Sequence, residues 1–158
     1  MDEVKAAMEQ RLSCISLCVS DVARARRFYE AMGWRVSPVS RDSMPLFNAN
    51  GFVFIVVDRR LAAEEAFGKP LPPEVEAVLA NKPAFQAMLL SYVVREDHEV
   101  AEIIAHAVAN GGRTLRPATE QVWGNLSGYF SDPEGFIWEV SRTRRTPLQP
   151  NGDFRIGG

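Results

Sequence analysis

Apolar and polar positions alternate with a period of two over residues 12–20. There Ile15, Leu17 and Val19 interleave with Cys14, Ser16 and Cys18, which predicts a strand. The period then changes. Val22, Ala25, Phe28, Tyr29 and Met32 recur at helical spacing, with Arg24, Arg26, Arg27 and Glu30 on the other face. Asp21 stands where a helix N-cap belongs, because its carboxylate can accept from the free N–H groups of a first turn. Gly33 stands where a left-handed C-terminal turn would end that helix. Strands are predicted over residues 34–40, 44–49 and 52–58, with Asn50-Gly51 as the turn between the last two. The order is β-α-β-β-β.

Residues 59–83 break this rhythm. Prolines at 70, 72, 73 and 83 punctuate them, and residues 74–80 suit one short helix. The stretch reads as a connector, a candidate lid or dimer contact. The first order then returns: a strand over 84–94, a helix over 96–110, and strands over 113–119, 121–131 and 136–142. The helix carries a stripe of Val100, Ile103, Ile104, Ala107 and Val108. Asp132-Pro133-Glu134-Gly135 marks a tight turn before the last strand. Asp21 and Gly33 bracket the first helix as Asp97 and Gly111 bracket the second. Gly51-Phe52-Val53-Phe54 is echoed by Gly135-Phe136-Ile137-Trp138. These echoes point to an internal duplication.

Composition narrows the function classes. With 158 residues the chain supplies one well-packed domain and falls short of two full-sized independent ones. A formal net charge of −2 gives no basic excess for nucleic acid or a membrane surface. Arg142, Arg144 and Arg145 form the one basic cluster, which reads as solvated where the last strand passes into a C-terminal tail over 143–158. The polar leader, 1–11, lacks the apolar core of a secretion signal. No apolar run approaches the roughly 20 residues of a membrane span. A soluble, cytoplasmic protein is expected. Cys14 and Cys18 are too far apart on one strand face for an unstrained disulfide, and no further Cys or His completes a zinc set around them.

Three stretches resemble the glyoxalase/bleomycin-resistance/extradiol-dioxygenase superfamily, the vicinal oxygen chelate fold. They are Ser16-Leu17-Cys18-Val19-Ser20-Asp21 with Ala25 to Trp34, the helix from Asp97 to Gly112, and Gly128-Tyr129-Phe130-Ser131-Asp132-Pro133-Glu134-Gly135-Phe136-Ile137-Trp138-Glu139-Val140. The resemblance implies an α+β fold of two tandem βαβββ modules, over 12–58 and 84–142. Each module would curl its strands into half of an open cup with its helix outside, and ligands would sit in the cup. Ile15, Leu17 and Val19 should then meet the helix. Cys14, Ser16 and Cys18 should line the cup, as should Leu89, Ser91 and Val93 in the second module.

Metal-dependent relatives take one ligand from each of four equivalent strand positions. Carried over by their distance from the cap and turn residues, these positions fall at Cys14, Ile55, Leu89 and Glu139. A hard divalent ion needs several N or O donors, and among these four Glu139 alone offers one. His98 and His106 lie on one helix, roughly 12 Å apart along its axis, and cannot share an ion. No metal and no other cofactor is expected, with a divalent metal as the alternative.

The remaining cup residues suit an amphipathic small molecule. Glu139 could anchor a cationic or hydroxylated ligand or act as a base. Trp123, Asn125, Ser127 and Tyr129 alternate along one predicted strand and would form an aromatic wall if that face lines the cup. Ser16, Phe47, Asn48 and Ser91 are weaker ligand candidates. Two function classes follow: a metal-independent drug- or metabolite-binding protein, or a lyase, isomerase or dioxygenase centred on Glu139. A vestigial cup in an interaction module is the third. A homodimer is expected, with no nucleic-acid or membrane partner.

Overall fold

The computed structural model describes residues 8–157. The leader expected over 1–11 therefore lies mostly outside the described residues. The first module comprises β1 (Cys14–Val19), α1 (Val22–Ala31), β2 (Leu46–Asn48) and β3 (Val53–Asp58). Two helices follow, α2 (Arg59–Phe67) and α3 (Pro73–Ala80). The second module comprises β4 (Leu89–Val93), α4 (Asp97–Ala109), β5 (Arg113–Glu120), β6 (Leu126–Ser131) and β7 (Ile137–Arg142). The sheets are ordered β1-β3-β2 and β4-β7-β6-β5. Each pairs its first and last strands in parallel, β1 with β3 and β4 with β7, as a duplicated unit should. The α+β class and the duplicated architecture match the expectation.

The strand expected over 34–40 shrinks to a single bridge between Val36 and Phe47. Pro38 has no N–H to continue a ladder. The chain turns there instead, with the Ser40 amide donating to the Ser37 carbonyl at 3.0 Å. The strand expected over 121–131 starts only at Leu126. The Gln121 amide donates to the Asn125 carbonyl and the Gly124 amide to the Gln121 carbonyl, closing a turn. The strand expected over 84–94 is confined to β4, and α2 was not expected. Asp58 ends β3 and caps α2, accepting from the Leu61 amide at 2.9 Å.

Helix capping follows the sequence at α1, where Asp21 accepts from the Arg24 amide at 2.9 Å. At α4 the cap is Glu96, one residue before the expected Asp97. The Glu96 amide donates to the Glu99 carboxylate at 2.7 Å. Asp97 binds Arg144 instead, at 2.9 Å. Arg144 also grips Glu120 through both guanidinium nitrogens, at 2.7 and 2.8 Å, and the Gly124 carbonyl. It thus ties the hairpin between β5 and β6 to the start of α4 while remaining exposed.

One core serves both modules. Leu17, Val19, Phe54 and Val56 from the first sheet join Phe130, Trp138 and Val140 from the second, with α1 and α4 among them. The Phe54 and Trp138 rings lie 6.1 Å apart, and Tyr29 of α1 sits 6.0 Å from Trp138. The Tyr29 hydroxyl donates to Asp132 at 2.6 Å and accepts from the Trp138 indole at 3.1 Å. Glu134, in the turn before β7, is 1% exposed and reaches across to the first module. It accepts from the Ser20 and Asp21 amides, both at 3.0 Å, and pairs with Arg24 and Lys82 at 2.8 and 3.1 Å.

Candidate functional site

Because alternate side chains along these strands enter the shared core, their neighbours define an open face on each sheet. On the first sheet that face carries Cys14, Ser16 and Cys18, all exposed, while Leu17 and Val19 are buried. Ser16 pairs with Ile55, and Ile55 with Leu46, so the row across this face is mostly apolar. Asn48, paired with Val53, shares the face. Phe47 does not. It is 1% exposed in the aromatic core beside Tyr29, Trp34 and Phe54, which corrects its reading as a ligand residue.

The second sheet's open face is polar. Ser91 on β4 is the cross-strand partner of Glu139 on β7, and Glu139 that of Tyr129 on β6. The Ser91 hydroxyl donates to one Glu139 oxygen and the Tyr129 hydroxyl to the other, each at 3.2 Å. Arg116 on β5 is in turn the partner of Tyr129. The four form a lateral row, Arg116, Tyr129, Glu139, Ser91, across the whole sheet. Burial, the Glu139 charge and the hydrogen bond to it push the Tyr129 phenol up from its ordinary value, and Arg116 opposes them. Tyr129 is therefore a neutral donor near neutral pH.

The structure thus brings together Ser91, Tyr129 and Glu139. Ser16 and Asn48 remain on the other sheet. Trp123 and Asn125 fall outside the expected alternation, in the turn before β6, with Trp123 57% exposed. Ser127 shares the face of Tyr129 but is buried against the Ser141 hydroxyl at 3.0 Å. Arg116 was missed. Two register shifts, between Thr114 and Arg116 and between Arg116 and Thr119, destroy the period-two signal that would have placed it.

The implied metal positions do not fit a hard ion. Ile55 and Leu89 have no donor atom, and Ser91, not Leu89, faces Glu139. Among the described residues no three His, Cys, Asp or Glu side chains come together as a ligand set. Cys14 and Cys18 are free thiols, and burial raises that of Cys18 above its ordinary value. His106 Nε2 bonds the Ala31 carbonyl at 2.8 Å, joining α4 to the end of α1.

Residues 11–140 match the family model of the Glyoxalase/Bleomycin resistance protein/Dioxygenase superfamily. The chain belongs to that superfamily. No curated protein matches it in sequence. Among solved structures it is similar to a glyoxalase-related enzyme from Fulvimarina pelagi, with 28% identity and a TM-score of 0.79 over 94% of this chain and 99% of that one. It also shares its fold with a glyoxalase/bleomycin resistance protein/dioxygenase from Nocardioides. There the identity is 18% and the TM-score 0.68, over 97% of this chain and 93% of that one. Lactoylglutathione lyase from Agrobacterium tumefaciens has the fold at 17% identity and a TM-score of 0.61, over 87% of this chain and 97% of the other. This superfamily member has, among the described residues, no helix long and apolar enough to cross a membrane.

Proposed function

We propose that the chain is a small-molecule-binding member of the superfamily that holds its ligand on the Arg116-Tyr129-Glu139-Ser91 row without a metal ion. The observation that carries this reading is the state of Glu139. An ionised carboxylate can accept about four hydrogen bonds. Ser91 and Tyr129 supply two, fixing the group while leaving capacity on a half-buried, open face. A ligand's ammonium or hydroxyl can take that capacity. Arg116, two strand spacings or about 10 Å away, would receive an anionic group, and the Tyr129 ring between them would receive an apolar plane.

Each sheet ends on an edge strand, β1 and β4, and Leu89 on β4 is 50% exposed. Such edges suit pairing with a second copy, so the working unit is proposed to be a cytoplasmic homodimer. A second reading is supported by the Tyr129–Glu139 hydrogen bond, a short path for a proton. On it the row would act as the base of a metal-independent lyase or isomerase.

The test is a thermal-shift panel of aromatic, amphoteric compounds, antibiotics included, in excess chelator. A specific ligand at a hundred times its Kd should stabilise the protein by about 2.7 kcal/mol. Glu139→Gln should lose that shift while keeping its own melting temperature. If no compound shifts the wild type, or the variant keeps every shift, the row is not the binding site. Turnover lost in Glu139→Gln would favour the enzyme reading.

A further inference from the structure

We propose a second ligand site, for one small uncharged aromatic ring, in the seam between the two modules and on the opposite side of the second sheet from Glu139. A cavity of about 170 Å³ opens there. Its floor is four buried rings: Phe28 and Tyr29 of α1, Phe130 of β6 and Trp138 of β7. Its mouth is formed by Met32, Trp34, Tyr92 and Ile103. None of the described residues that line it is charged. An apolar cavity of about 150 Å³ accommodates benzene, so this volume suits a single ring.

The chemistry of the walls sets the ligand class. The polar atoms of the floor are spent on one another: the Trp138 indole donates to the Tyr29 hydroxyl, which donates to Asp132. A charged ligand would be stripped of water with nothing to replace it. What the walls do offer is ring edges, ring faces and the Met32 thioether, all favourable to an aromatic guest. Tyr92 explains the opening. It lies on the core side of edge strand β4, two residues from buried Leu90, yet is 45% exposed among the described residues. Close-packed interiors rarely leave such a gap between aromatic walls. The site is independent of the Glu139 row, which faces the other way.

Fluorobenzene titrated into the full chain and followed by NMR tests this. The three tryptophans report separately. The indole signals of Trp34 and Trp138, in the cavity wall, should shift and saturate together, and that of Trp123, in the exposed turn, should stay still. Ile103→Phe, which fills the mouth, should weaken binding by about tenfold or more. Met32→Phe makes the same test if the first variant folds poorly. Absence of saturable shifts at Trp34 and Trp138, or unchanged affinity in a folded filled variant, overturns the proposal.

Discussion

Glu134 and Glu139 sit five residues apart in one motif and do opposite work. Glu139 keeps acceptor capacity on an open face, whereas Glu134 spends its own inside the protein. Burial pushes the Glu134 carboxyl up. The Ser20 amide, Arg24, Lys82 and the Ser20 hydroxyl outweigh this and hold it at about 2, below its ordinary 4.5. Because the folded value is the lower one, the stabilisation is fully present above pH 4.5 and is lost as pH falls toward 2. Glu134→Gln should cost roughly 2–3 kcal/mol at neutral pH, less than the roughly 3–5 kcal/mol of a fully buried pair because Arg24 and Lys82 can rehydrate. It should also flatten the acid limb of a urea midpoint against pH profile. An unchanged acid limb would remove Glu134 as its source. Glu139 was legible because it stands at a fixed distance from a turn glycine. The role of Glu134 was not, since an acid in a polar turn reads as solvated until the first module is folded against it.

Helices that bury an apolar stripe were readable from their period, whereas the short exposed helix α3 was marked by its flanking prolines instead. α1 and α4 present Phe28, Tyr29, Val100 and Ile104 to the core, and their helical spacing was plain in the sequence. Helix α2 contributes no buried residue, so no apolar period announced it. Strand ends were misjudged where proline or a turn interrupts hydrogen bonding, at Pro38 and at 121–125. A junction tight against main-chain atoms falls at Gly112, after α4. A Cβ there would stand 2.8 Å from the Ser131 carbonyl oxygen and 2.9 Å from that of Ala107, both main-chain atoms with little room to yield. Gly112→Ala should therefore destabilise by about 1–3 kcal/mol, lowering Tm by roughly 3–10 °C. A melting scan checks this, and an unchanged Tm would show that α4 can slide on β5 and β6.

At the scale of the molecule, the shared core decides what the open faces can do. Both sheets turn their helix-facing sides inward, where Phe54 meets Trp138, so each open face is left to solvent or to a second copy. The proposed homodimer predicts a solution mass twice the 17.6 kDa of the chain by light scattering, and a monomeric mass at micromolar concentration would contradict it. The family motifs indicated a duplicated fold and the unfit metal positions. They did not show that the polar row would lie wholly on one sheet, because that depends on strand register and on the bulges of β5. The row is proposed to bind its ligand unaided by a metal. Calorimetric titration of chelator-stripped protein with a ligand found in the thermal-shift panel tests it most directly. The same Kd before and after stripping, and a loss of binding in Glu139→Gln, are expected. Binding that vanishes on stripping and returns only with a divalent ion would contradict it.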